Sequence, residues 1–478
     1  MRSVVHSSPE LFPASATDNG THVQYSVRTV GVIRETDAKS TPPVPLPTEE
    51  SAEPGNRVLQ LDEVIRLALS SSPDLQSAAE RTWIAHAALR RARAEFFPTL
   101  GVAENYGASN SPVNAFSFVL NQAQLNFNQD FNNPGTIDNF DTRLRVKQGV
   151  FAGGRRRAEK RAAEWQLQAS HAGLKTVRNQ LVFQTAEAYY RLLQAAHLVS
   201  VREEAVRQVK HHLEIVRTRF RAETAVKSDV LTVEVRLAEA REALITARHQ
   251  VELTWAVLDN VVGQQIKRRD LPKSVPAAPW SNRIEDVQQA VATALRHRPE
   301  TGAAGSQYQS ALYGVEAARA GKRPALNFVG DYDVFTGDFR RGNDSFFVGL
   351  VLELNLIDSG RTRSDVDRAS ARARELAARY RRTVLDIELD VRRAFLKLDN
   401  AEARLKVTAQ AVGQAKESLR EIEVRYRGQT ATITQLIDAQ VALSNVRVRR
   451  TTAQADVEIA RASLERAVGR IAGVANRP

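Results

Sequence analysis

The sequence predicts a mainly helical chain with a small β part, built as a tandem repeat of long coiled-coil α-hairpins. Three observations predict it. Apolar residues keep a seven-residue step through long proline-free stretches. Four short segments alternate apolar and polar residues with period two. The order of these elements occurs twice along the chain. A seven-residue step means helix wound on helix with a left-handed twist, and period two means strands with one apolar face.

The composition agrees. Ala, Arg, Leu, Val and Glu dominate the 478 residues, a profile of long helices. The formal charge is +12, but the arginines are interleaved with Glu and Asp along the helical runs. Mixed charge on a helix marks a solvated face, which favours that reading over nucleic-acid binding. There is no Cys, so disulfides, thiolate metal sites and cysteine nucleophiles are excluded. No run of about 18 apolar residues is present that would span a bilayer as a helix. The opening Met1-Arg2-Ser3-Val4-Val5-His6 lacks the apolar core of a signal peptide.

Residues 1–57 are expected to form an extended arm, because Pro42, Pro43, Pro45, Pro47 and Pro54 fix a polyproline-like path. The first repeat is expected over 58–271. Leu61-Asp62-Glu63-Val64 opens a helix with acids in its first turn, where the dipole favours them. Pro73 interrupts that helix and a second run continues to Phe97, before Pro98. Strands are expected at about 99–107 and 142–151, joined by a polar loop rich in Asn, Phe and Gln. Gly153 and Gly154 then read as a strand-to-helix bend.

The heptad row that follows is Leu192, Val199, Val206, Leu213, Phe220, and the returning row is Val230, Leu237, Leu244, Val251, Leu258. A helix from Arg155 to about Arg221 would be roughly 100 Å long at the α-helical rise. Residues 272–283, with Pro272, Pro276 and Pro279, read as a linker.

The second repeat is expected over 284–472, with a tail at 473–478. Ala68-Leu69 and Pro73 return as Ala294-Leu295 and Pro299, and Pro98 returns as Pro324. Gly154 returns as Gly360, and Gly263 as Gly469. The heptad row returns as Leu398, Leu405, Val412, Leu419, Tyr426. Strands are expected at about 325–333 and 346–357, with aromatics clustered near their connection. The alternation suits either a membrane barrel or an amphipathic hairpin capping a helical bundle. Four strands cannot close a barrel, and an open strand edge cannot face lipid. If these strands meet lipid, copies of the chain must pool them.

Two stretches are candidate functional tips, each midway along a long helical pattern: Arg219-Phe220-Arg221-Ala222-Glu223-Thr224 and Arg425-Tyr426-Arg427-Gly428-Gln429-Thr430. Each reads as the turn of an αα-hairpin, where helix-end backbone groups need partners.

These features together resemble the TolC-like outer-membrane efflux proteins. The carrying residues are the tandem repeat, Leu61-Asp62-Glu63-Val64 with Ala68-Leu69 and Pro73, Phe97-Pro98-Thr99-Leu100, and Phe151 with Gly153-Gly154-Arg155. Ile357-Asp358-Ser359-Gly360-Arg361 and Arg425-Tyr426-Arg427-Gly428 running into Leu436-Ile437-Asp438-Ala439 complete them. The resemblance covers about residues 58–472. It implies a homotrimer whose twelve strands form one transmembrane barrel in the cell outer membrane, set in outer-membrane lipid, above a periplasmic helical tunnel. It implies two further partners, a periplasmic adaptor and an inner-membrane pump of RND or ABC type, and a passive, gated conduit between periplasm and exterior.

It also implies that acids ring the entrance at the second tip. Asp438 matches one acidic position, and Gln435 stands where a second acid is common. In the first repeat Asp229 corresponds to Gln435 and Thr232 to Asp438. Phe220, Arg221, Thr224, Tyr426, Arg427, Gly428 and Thr430 are the expected tip and adaptor-docking residues.

No cofactor, catalytic or metal residues are expected. The adjacent His211-His212 lack metal-ligand spacing and are expected on a solvated face. Gly153-Gly154-Arg155 lacks the Lys-Ser/Thr of a phosphate loop. The alternatives are a soluble coiled-coil scaffold or, less favoured, a basic helical nucleic-acid binder.

Overall fold

A computed structural model describes residues 58–277, 280, 286–337 and 342–471. The expected arm at 1–57, the tail at 473–478 and part of the 272–283 linker lie outside the described residues. The chain divides into two units, a β unit formed by 95–153 and 323–355, and a helical unit formed by the remaining described segments.

The β unit is one antiparallel sheet in sequence order: β1 (Thr99–Ser109), β2 (Ile137–Ala152), β3 (Ala325–Thr336) and β4 (Gly342–Glu353). Its register aligns Val102 with Leu144, Leu144 with Tyr332 and Tyr332 with Phe346. One face is therefore a continuous apolar surface, and among the described residues it is uncovered: Leu100, Phe346, Leu350 and Leu352 are all well over half exposed. The other face carries charge in matched pairs. Arg143 Nε donates to Asp333 at 2.5 Å, and Arg145 holds Asp331 through Nε and Nη2 at 2.5 and 3.0 Å.

Strand bounds differ from the sequence expectation for a physical reason. β2 begins at Ile137, not near 142, because 137–141 pair with 105–109 of β1. β4 ends at Glu353, opposite Ala325, where its partner strand begins. Leu354 and Leu356 keep the alternation but have no strand beside them.

The polar loop between the first two strands also holds an unexpected helix, α3 (Pro112–Asn121). Ala115 and Val119 are its buried residues, and Gln122 after it donates to Asp138 O and Asn139 Oδ1 at 2.7 and 3.0 Å. The Ser111-Pro112 start was the available signal, since proline suits the first helical position.

The helical unit shows the repeat most plainly. In the first half, α1 (Leu61–Ser71) and α2 (Pro73–Ala94) flank the Pro73 break, and α4 (Arg155–Arg221) and α5 (Lys227–Val262) make the hairpin. In the second, α6 (Val287–His297) and α7 (Pro299–Arg319) flank Pro299, and α8 (Arg361–Arg427) and α9 (Ile433–Val468) make the hairpin. Both outgoing helices have 67 residues and both returning helices have 36.

Positive backbone angles recur with the repeat. Gly154 and Gly360 precede the outgoing helices at φ 93° and 85°, with Gly153 and Ser359 before them at 62° and 51°. Gly263 and Gly469 end the returning helices, both at φ 85°. Gly263 also lies against the Pro73 break, where a Cβ would come within 2.7 Å of the proline ring.

Heptad positions form the core. Leu192, Leu213, Leu237 and Leu258 are buried in the first hairpin, and Val412, Leu419, Leu436, Leu443, Val457 and Leu464 in the second. Burying each such side chain contributes roughly 1.5–3 kcal/mol. α4 packs on both α5 and α9, and α8 on α9, so the two hairpins lie side by side.

Two expectations are corrected. Phe220 closes the first heptad row yet is 43% exposed, whereas its repeat partner Tyr426 is 8% exposed. His212, expected in solvent, is buried with neither ring nitrogen hydrogen-bonded, because it lies on the packed side of α4 between Val209 and Val216. His211 beside it is exposed.

Candidate functional site at the hairpin tips

Both tips are built by the same backbone turn. α4 ends as Ala222 N donates to Thr218 O, and Glu223 adopts φ 58°. α8 ends as Gly428 N donates to Val424 O, and Gln429 adopts φ 60°. Thr224 and Thr430 then donate both backbone N–H and hydroxyl to the Arg219 and Arg425 carbonyls, at 2.9 and 3.1 Å in each tip. These threonines satisfy carbonyls that the helix ends leave open. Gly428 sits at φ −80°, so the left-handed position belongs to the residue after the glycine.

The returning helices start differently. Thr432 and Gln435 form a reciprocal cap: Gln435 N donates to Thr432 Oγ1 at 3.3 Å, and Thr432 N donates to Gln435 Oε1 at 2.9 Å. The Gln435 side chain is thereby occupied with its own helix end. Asp438, one turn on, is exposed, while Leu436 and Ile437 are buried. α5 has no side-chain cap at Val226, and Asp229 occupies its first turn. Thr232 is exposed, and its hydroxyl donates to Ser228 O at 2.8 Å.

The two tips are tied to each other. The Arg219 guanidinium lies 4.3 Å from the centre of the Tyr426 ring, and its Nη2 donates to Tyr426 O at 3.3 Å. Burial pushes the Tyr426 phenol up from its ordinary pKa; Arg219 pulls it down, and nearby Asp229 pushes it further up. Arg219, Tyr426 and Asp229 therefore form one cluster, to which the first hairpin gives the cation and the acid and the second gives the ring. Around it Val216, Val233, Leu419, Ile433 and Leu436 close an apolar core shared by both hairpins.

Sequence reasoning placed Tyr426 and Asp229 at the tips but gave Arg219 no role. The available signal was the identity of Arg219 and Arg425 beside different rings, Phe220 and Tyr426. Arg221 and Arg427 are exposed at the ends of their helices. Among the described residues no three His, Asp or Glu side chains gather in a way that could hold a metal ion.

The repeat of long hairpins, the four-stranded sheet and the paired tips coincide with one family. The outer membrane efflux protein family matches residues 64–264 and 290–470. The chain belongs to that family. It is 24% identical over 414 residues to the pyoverdine export outer membrane protein OpmQ of Pseudomonas aeruginosa, covering 84% of each chain. It is 24% identical over 424 residues to the outer membrane protein TolC of Vibrio cholerae, covering 86% of this chain and 90% of that one. Its fold is similar to the crystal structure of VceC from Vibrio cholerae, with a TM-score of 0.72 at 22% identity over 86% of this chain and 96% of that one.

As an outer membrane efflux protein the chain is an outer-membrane channel subunit of an efflux system, with a periplasmic helical tunnel. The family consists of channel proteins, and the trimers its known structures form combine a helical tunnel with a β-barrel.

Proposed function

We propose that three copies of this chain form a passive, non-enzymatic conduit, whose six hairpin tips make the periplasmic entrance and whose Asp438 carboxylates line it. The observation that carries this reading is the open sheet. Among the described residues β1 and β4 are unpaired edges of a four-stranded sheet whose apolar face is uncovered. Such edges are not tolerated in lipid, so closure requires strands from other copies. Twelve pooled strands lie within the range of membrane barrels.

In this reading the tips also receive a periplasmic adaptor, which couples the conduit to an inner-membrane pump of RND or ABC type. Exposed Phe220, Arg221 and Arg427 offer the docking groups, supported by the turn that Thr224, Gly428 and Thr430 build. Asp229 and Thr232 belong to the same entrance, Asp229 through the Tyr426 cluster and Thr232 on the exposed side of its helix. The bends at Gly153, Gly154 and Gly360 join sheet to hairpin.

The natural absence of Cys makes a direct test clean. Asp438→Cys in outer-membrane fractions, oxidised briefly, should give a covalent dimer band, since three carboxylates around one axis come close together. Native mass spectrometry of the detergent-extracted protein should give three chains. A monomer, or a trimer in which Asp438→Cys never crosslinks while a Cys at the neighbouring tip does, would overturn respectively the assembly and the ring.

A further inference from the structure

Away from the tips, the helical unit forms an open groove of about 990 Å³ between α4, the α6–α7 break and α8, with Lys175 and Arg296 exposed along it. Its lining has one sign of charge. His171, Lys175 and Arg178 come from one stripe of α4, and Arg296 and His297 come from the end of α6. Among the described residues no Asp or Glu lines it. The adjacent acids are engaged by arginines: Glu300 and Asp390 both hold Arg298, itself a lining residue, at 2.9 and 2.6 Å, and Asp390 also holds Arg466. Among the described residues neither Lys175 nor Arg296 has an ion-pair partner.

One further feature points the same way. Thr301 lines the groove in the first turn of α7, whose N-cap residue Arg298 provides no side-chain acceptor for the first N–H groups. A helix start of this kind favours negative charge. The walls include the rings of Tyr308 and Tyr380. The corresponding break at Pro73 borders a cavity of about 680 Å³ whose lining mixes Asp74 and Glu187 with Arg191. The single-sign lining is thus particular to the second break.

We propose that the groove at Pro299 is a binding site for a small multivalent anion, held by Lys175 and Arg296 through its phosphate or carboxylate oxygens. The assembled full-length protein in detergent would be titrated calorimetrically with inorganic pyrophosphate and with citrate, at fixed ionic strength. One saturable site per chain is expected for at least one of them, and the one that binds assigns the oxygen chemistry.

Lys175→Gln with Arg296→Gln should weaken binding at least about tenfold, the order expected for lost charge-assisted hydrogen bonds. Lys160→Gln with Arg368→Gln, removing two exposed cations elsewhere, should leave it unchanged. Should the first pair disturb assembly, Lys175→Gln alone supplies a second variant, expected to weaken binding severalfold. Absence of saturable binding for both probes, or equal weakening by both double variants, overturns the proposal.

Discussion

Arg219 of the first hairpin stacks on Tyr426 of the second, with guanidinium carbon and ring centre 4.3 Å apart. Its repeat partner Arg425 does something else: it pairs with Glu421 on its own helix. The repeat partner of Tyr426, Phe220, is left 43% exposed. At the tips the two repeat-related arginines thus differ: Arg219 reaches across to the other hairpin's ring, and Arg425 stays on its own helix.

If that contact holds the tips together, Arg219→Ala should loosen them and Arg425→Ala should not. The lost cation–π contact is worth about 1 kcal/mol at a half-buried position. In planar bilayers Arg219→Ala and Tyr426→Ala should raise conductance or open time severalfold, and Phe220→Ala should not. Equal effects of the two arginine variants would show that the stacking has no gating role.

A ring of carboxylates biases which ions pass. Asp438→Asn should reduce the cation-to-anion permeability ratio in asymmetric salt. Gln435→Asp should raise it less than a free acid would, and should cost stability, because Gln435 Oε1 already caps Thr432 N. Reversal potentials of the two variants check both statements.

The left-handed residue at each tip is not a glycine. Gln429 holds φ 60° and Glu223 φ 58°, a conformation that costs a side-chain-bearing residue about 1 kcal/mol. Gln429→Gly should stabilise the second tip by roughly that amount less the entropy glycine loses. Gly428→Ala should be nearly neutral, since its φ is −80° and the first tip carries Ala222 there. Gly263→Ala should be far worse, by about 2–4 kcal/mol, combining its φ of 85° with the contact at Pro73. Thermal unfolding of the detergent-extracted protein measures all three.

His212 supplies a pH dependence. Burial, reinforced by His211, holds its pKa below the ordinary value of 6.5. The folded state therefore prefers the neutral ring. Stability from this group is present above pH 6.5 and is lost as pH falls through the folded-state pKa. Protection of α4 amides near His212, taken relative to the intrinsic exchange rate, should fall as pH is lowered below 6.5. His212→Leu should remove that fall and add about 1 kcal/mol of stability, since two unpartnered buried nitrogens are replaced by methyl groups.

Much of the fold was legible because it is periodic. The seven-residue step marked Leu192, Leu213, Leu419 and Leu436 as core, and all four are buried. The interval of 206 residues carried Gly154 to Gly360 and Gly263 to Gly469, and the helix lengths repeat with them. The misses share a cause. α3 lay in a loop with no repeat partner, and β4 kept its alternation past the end of its neighbour. His212 looked polar where the helix turned it inward.

By itself, the sequence determined which faces are apolar, where proline and glycine break the chain, and how often the pattern occurs. Those are local properties, set by side-chain period and backbone freedom within a few turns. The tertiary structure alone decided that Arg219 meets Tyr426 and that Phe220 and Tyr426 have opposite exposure. Both depend on two helices meeting about two hundred residues apart, and no period along the chain encodes that.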